Sequence, residues 1–268
     1  MPVKKDASGR RSVEAEVEVP GTPEEVWQAI ATGPGISSWF VPSEVEEREG
    51  GKAVSHFAPG DSMDSAGTIT TWSPPHRFVV ETQEGPGTVA SEWTVEARAG
   101  GTCVVRVVHN WFASTDDWDD QMEGHTYGWA MFFRILRLYL AHFRGQHGVS
   151  FQLMATAPEP KLDAWNALIE PLGIAGAAAG GRIGAVPDAP PLAGTVHSVG
   201  VPPEWPELLV QTEAPAPGIA HFFPMPMGGQ VFLIGRMYLF GKDAAETVAR
   251  VQPVWEKWIG ERFTRVGG

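Results

Sequence analysis

The chain has 268 residues, of which 43% are hydrophobic and 19% charged, enough apolar material for one large or two small cores; wholesale disorder is excluded. A net charge of −12 argues against a general affinity for nucleic acid or anionic lipid, and the single cysteine, Cys103, excludes an intrachain disulfide or a cysteine-rich zinc site. No apolar run reaches the roughly 18 residues that cross a bilayer, and no apolar stretch follows the basic start, so the expectation is a cytoplasmic protein with no membrane or nucleic-acid partner.

Residues 1–11 are polar and basic without periodicity and are expected to be a disordered tail. From Val13 to Val19 the sequence VEAEVEV alternates apolar and acidic residues, the period of a strand with one wet face. Pro20-Gly21 ends it. Thr22 is a suitable N-cap, Pro23 suits the first helical position, and Glu24 and Glu25 favour the positive helix end. A short helix carrying Val26, Trp27 and Ile30 should end near Gly33-Pro34-Gly35, with a second short helix over ISSWF, residues 36–40.

Six short segments follow: 43–48, 52–57, 67–73, 77–82, 88–97 and 102–112. The turn signals Gly50-Gly51, Pro74-Pro75, Gly85-Pro86-Gly87 and Gly100-Gly101 lie between or beside them, as in an antiparallel meander. In the last segment Cys103, Val105, Val107, His109 and Trp111 share the face expected to look inward. Beyond an acidic loop, Met122, His125, Trp129, Phe132, Leu136, Tyr139 and Phe143 recur at spacings of three and four, which predicts a long amphipathic helix covering the sheet.

The second half overlays on the first. PGTPEEVW, residues 20–27, aligns with PEPKLDAW, residues 158–165, and the same offset pairs Ile30 with Leu168, Gly35 with Gly173 and Ile36 with Ile174. Further on, Gly50-Gly51-Lys52 resembles Gly180-Gly181-Arg182, Gly67-Thr68 resembles Gly194-Thr195, and Pro74-Pro75 resembles Pro202-Pro203. Strands are expected over 207–212, 219–223 and 230–240, then a helix over 243–263. The run AGAAAGG at 175–181 reads as a flexible connection, and HFFPMPMGG at 221–229 as a hairpin turn with packed flanks or an apolar interface.

The order of TPEEVWQAI, ISSWF, GGK, GTITTWSPPHRFVVET, GGT at 100–102 and HNWF at 109–112 before an amphipathic helix resembles the START-like or SRPBCC superfamily. Within it, the chain is similar to bacterial homologues of the C-terminal domain of the heat-shock-protein-90 ATPase activator. The resemblance implies an α+β helix-grip fold, an antiparallel sheet wrapped around a long C-terminal helix with a cavity between them. The expected organisation is a START-like domain at 12–147 and a second, shortened one at 148–268.

Members of the superfamily hold apolar molecules in that cavity, and a few are cyclases or ring-hydroxylase components; fold alone does not choose among these roles. The expected ligand-binding residues are Trp39, Trp72, Trp93, His109, Trp111, His125, Trp129 and Phe133, with ordinary core packing as the competing reading for the aromatic residues. His109 and His125 are the pair suited to acid-base work, against a structural role for each. Asp116, Asp117, Asp119 and Asp120 read as a solvated loop leading into a helix rather than a metal site, and Cys103 as a buried, inert thiol. Walker, GxSxG, HExxH and dinucleotide signatures are missing from the sequence. A non-catalytic binding protein for a small apolar or aromatic molecule, without cofactor or metal, is therefore favoured. The alternatives are a cyclase, dehydratase or hydrolase using a cavity histidine, or a protein-binding module, with a homodimer as one form of it.

Overall fold

The computed structural model describes residues 3–57, 63–84, 87–112, 119–200 and 206–266, without the side chains of residues 120–127. The chain divides into two compact units, Met1–His147 and Gly148–Gly268.

The first unit opens with β1 (Lys4–Lys5) and β2 (Arg10–Pro20), followed by α1 (Pro23–Ala31) and α2 (Gly33–Ile36). A meander then runs through β3 (Ser43–Val45), β4 (Lys52–His56), β5 (Asp64–Ser73), β6 (Arg77–Glu84), β7 (Gly87–Arg98) and β8 (Thr102–Phe112), before the long helix α3 (Asp119–His142). The sheet order is β1-β2-β8-β7-β6-β5-β4-β3, antiparallel throughout. β2 pairs with β8 along its whole length, from Arg10 opposite Phe112 to Pro20 opposite Thr102, so the first and last long strands of the unit lie side by side. This is the α+β helix-grip arrangement.

Local chemistry explains the elements. Val13, Ala15 and Val19 of β2 are buried while Glu16 and Glu18 are exposed, as the alternation requires. At α1 the Glu25 amide donates to Thr22 Oγ1 (3.3 Å) and the Thr22 amide donates to Glu25 Oε2 (2.9 Å), a reciprocal capping box. Every odd residue of β8 from Cys103 to Trp111 is buried.

Two local expectations are corrected. The start of the chain is paired rather than a loose tail as far as residue 11: Lys4 and Lys5 lie opposite Ser12 and Arg11, and β2 begins at Arg10. The Asp6 carboxylate accepts from the amides of Ser8 (2.8 Å) and Arg10 (3.2 Å), closing the connecting turn, while Lys5 and Arg11 reach Asp119 at 2.8 and 2.7 Å. These acids lie far apart in sequence or inside a polar run, so periodicity gives no sign of them. The second short helix covers Gly33–Ile36 rather than 36–40. Thr32 Oγ1 accepts from the Gly35 amide at 3.0 Å, so Gly33-Pro34-Gly35 starts a helix instead of stopping one.

The second unit contains β9 (Val149–Ala157), α4 (Lys161–Ile169), β10 (Arg182–Ile183), β11 (Ala193–Val199), β12 (Leu208–Ala214), β13 (Gly218–Met227), β14 (Gln230–Leu239), α5 (Ala244–Gly260) and β15 (Thr264–Arg265). Its sheet order, β10-β11-β12-β13-β14-β9-β15, again places the first long strand beside the last. Trp27 and Trp165 occupy equivalent positions on α1 and α4, and both are buried.

The paired glycines match in detail. Ile69 exchanges backbone hydrogen bonds with Gly50 and Gly51 (2.8 Å each), and Val196 does so with Gly180 and Gly181 (2.9 and 2.8 Å). A register shift follows both Ile69 and Val196. A Cβ at Gly67 or at Gly194 would run into the backbone oxygen of the neighbouring strand, Glu81 and Gln211 respectively. The segment at 175–181, expected as a flexible connection, is therefore pinned at its end by Val196. Pro202-Pro203 lie outside the described residues.

The core of the second unit contains large side chains, among them Trp165, Phe222, Trp255 and Trp258. β13 continues through Pro224 and Pro226 into a tight hairpin at Gly228-Gly229. Its pairing with β12 stops at Phe222, so both prolines lie where a missing N–H costs no ladder bond on that side.

Candidate functional site

A cavity of about 270 Å³ lies in the first unit. Its wall is assembled by strand alternation. Phe78, Val80, Thr82 and Glu84 come from one face of β6, Ser91 and Trp93 from β7, and His109 from β8. Ile30, Ile36 and Phe40 approach from α1, α2 and the residues after them, while Gly128, Trp129 and Phe132 come from α3.

Strand register sets the side-chain pairs. Phe78 lies opposite Trp93, and their rings stack at 5.8 Å with planes 5° apart. Trp129 meets Trp93 edge to face at 4.9 Å and stacks on Phe40 at 5.1 Å. The cavity is thus walled by aromatic faces and edges, a lining suited to flat apolar molecules.

The polar groups are few and ordered. Ser91 lies opposite His109, and Ser91 Oγ is 2.7 Å from His109 Nδ1. The Trp129 indole N–H donates to His109 Nε2 at 2.6 Å. An indole nitrogen is a donor only, so Nε2 must accept; the ring is neutral and carries its proton on Nδ1, which donates to Ser91. Elsewhere in the wall, Ser43 Oγ donates to the Val41 carbonyl (2.9 Å), so the Ser55 hydroxyl donates to Ser43 (3.0 Å). Thr82 Oγ1 donates to Glu84 at 2.9 Å.

Three of the eight expected residues, Trp93, His109 and Trp129, line the cavity. Phe133 sits behind the wall, 2% exposed, against Trp129 and Trp93 at 5.7 and 6.2 Å, because the helix presents Gly128, Trp129 and Phe132 instead. Trp39 is scaffold: it is fully buried, and its indole N–H donates to the Ala29 carbonyl at 2.9 Å in the last turn of α1. Trp72 reaches the inner face opposite Phe78 but packs edge-on against Trp27 at 5.0 Å, away from the cavity. Trp111, far along β8, forms a separate small cluster with Val13 and Val89. His125 is on α3, and its side chain lies outside the described residues, as do those of Asp116, Asp117 and Asp120.

Phe40, Phe57, Ile69, Phe78, Phe132 and Ser91 line the cavity without having been singled out from the sequence. Ser91 had one available signal, its place opposite His109 once the β7–β8 hairpin is set in register around Gly100-Gly101. Cys103 is buried with Sγ 3.3 Å from the Gly21 carbonyl, and desolvation, reinforced by Glu24 and Glu25, pushes its thiol above the usual range. No group of three metal-ligating side chains occurs among the described residues, and no described helix is long and apolar enough to cross a membrane.

Residues 20–141 match the family described as Activator of Hsp90 ATPase homolog 1-like protein. That match spans most of the first unit. No curated protein matches the chain. Among solved structures, this chain is similar to DynU16, from the dynemicin biosynthetic locus, at 17% identity and a TM-score of 0.42, covering 92% of this chain and 95% of that one. It is also similar to the di-domain ARO/CYC BexL from the BE-7585A biosynthetic pathway, at 13% identity and 0.45, covering 92% and 97%. The Aha1 dimer from Colwellia psychrerythraea gives 19% identity and 0.42, covering 50% of this chain and 98% of that one.

Proposed function

We propose that the first unit is a binding domain that holds one small, largely aromatic or apolar molecule between its sheet and α3, without chemical turnover. The observation that carries this reading is the aromatic-walled cavity of about 270 Å³ whose histidine is already committed. A general base needs a free ring nitrogen near the substrate. In His109 one nitrogen accepts from Trp129 and the other donates to Ser91, which favours a structural and orienting role over proton transfer. Affinity would come from burying ligand surface, at about 25 cal/mol per Å² before the costs of immobilisation.

The second unit is read as a shortened relative of the first, on the strength of the shared strand order and the matching glycine exchanges. Trp255, Phe222 and Leu233 are buried in its core, and the aromatic-walled cavity is in the first unit, to which the ligand is assigned.

Native mass spectrometry of the full chain, purified without detergent, tests the proposal. The expected result is a co-purifying molecule, or an added aromatic compound, bound at one per chain and released on unfolding. A chain that stays free of ligand in the presence of small aromatic hydrocarbons and ketones would refute it.

A further inference from the structure

Resting on the binding role proposed above, we infer that Ser91 donates the hydrogen bond that orients the ligand, and that this ligand is a neutral molecule presenting a carbonyl-type oxygen to it. The chain of hydrogen bonds behind the cavity wall has a direction. Trp129 donates to His109 at 2.6 Å, and His109 Nδ1 donates to Ser91 Oγ at 2.7 Å. Each bond runs toward the serine, and a hydroxyl that accepts one hydrogen bond becomes a better donor for the next. The Ser91 proton has no acceptor among the described residues, and Ser91 faces the cavity. Trp129 and His109 therefore polarise a donor at the aromatic end of the site.

The other wall hydroxyls differ. The protons of Ser43 and Ser55 are used within the wall, and that of Thr82 goes to Glu84. Ser65 has no side-chain hydrogen bond among the described residues, but nothing fixes whether it donates or accepts. Ser91 is thus the described wall hydroxyl that is both oriented and short of an acceptor.

Charge narrows the ligand further. Glu84 and His109 are the ionisable side chains among the described lining residues, and the hydrogen bonds of His109 require its neutral form. No lysine or arginine lines the cavity there to offset a carboxylate or phosphate, and a buried unpaired anion is strongly disfavoured. An ammonium group, which only donates, would gain nothing from a proton aimed at it. A ketone, quinone or ester oxygen on an aromatic frame meets both conditions.

The test is calorimetric titration of the full chain with three compounds of similar size, 2-acetylnaphthalene, 2-isopropylnaphthalene and 2-naphthoate, repeated on Ser91→Ala and Ser91→Thr. The wild type should bind 2-acetylnaphthalene about 3- to 10-fold more tightly than 2-isopropylnaphthalene, the gain of one net hydrogen bond, and 2-naphthoate most weakly. Ser91→Ala should bind the two neutral compounds equally, and Ser91→Thr should keep the preference. Equal or tighter binding of 2-isopropylnaphthalene by the wild type, tightest binding of 2-naphthoate, or a preference that survives in Ser91→Ala overturns the inference while leaving the binding role intact. If neither neutral compound binds, the binding role falls and this inference falls with it. The wild-type ranking needs no variant, so a misfolded substitution does not rescue the idea.

Discussion

Gly128 offers a perturbation in which stability and binding should move in opposite directions. It lies on α3 facing the cavity, and a Cβ built there meets nothing within 4 Å among the described residues. Gly128→Leu should therefore fill space without a clash. A buried leucine side chain occupies on the order of 150 Å³, as judged from cavities left by its removal, more than half of the 270 Å³ present. Replacing glycine within a helix contributes roughly 0.6–1 kcal/mol through propensity. Four newly buried carbons at about 0.8 kcal/mol each contribute up to ~3 kcal/mol, less about 0.5–1 for the lost rotamer freedom.

The expected net gain is about 1–3 kcal/mol, which for a unit of this size raises Tm by roughly 3–8 °C. Thermal unfolding measures the gain, and titration with 2-isopropylnaphthalene should show affinity at least ~10-fold lower, since the leucine takes the ligand's place. A variant that melts lower than wild type, or that binds the probe unchanged, would refute the claim that this space is an open, ligand-sized cavity.

Trp129→Phe keeps an aromatic ring but removes the hydrogen bond to His109 Nε2; a loss of about 1–3 kcal/mol in urea unfolding is expected, and an unchanged midpoint would count against the hydrogen-bond chain. Thr22→Ala breaks the capping box of α1 and should cost about 1 kcal/mol with the probe affinity unchanged, measured by the same two assays. Cys103, Tyr139 and Tyr238 are all shifted upward, chiefly by desolvation. Their neutral forms are favoured in the folded state, so the unfolded chain loses these protons first as pH rises. Stability should hold through neutral pH and fall from about pH 9 upward, and a denaturant midpoint that is flat up to pH 11 would contradict this reading.

Much of the architecture was legible because its code is local. Alternation fixed which face of β8 looks inward, and His109 and Trp129 followed from that face and from the helical spacing. Trp27 and Trp165 are each the fifth residue of a short helix, and the turn chemistry before them, PGTP and PEPK, recurs at one offset. What escaped is what depends on register or on distant partners. Ser91 matters because it lies opposite His109, and no pattern within β7 says so. Trp39 and Trp111 look like pocket residues by type, but one indole is consumed by the Ala29 carbonyl and the other lies at the far end of its strand. Phe40 follows a helix whose start was misread as a stop, so its place on Trp129 was hidden. The first strand pairing escaped for a similar reason, since Asp6 and Asp119 give it shape across 113 positions of sequence.

The central claim is occupancy of the space between the first sheet and α3, and intermolecular nuclear Overhauser effects from bound 2-isopropylnaphthalene test it most directly. Cross-peaks are expected from the ligand's ring and methyl protons to the rings of Phe40, Trp93 and Trp129, at one ligand per chain. Cross-peaks confined to exposed side chains such as Phe112 and Met227, with none to those three rings, would contradict it.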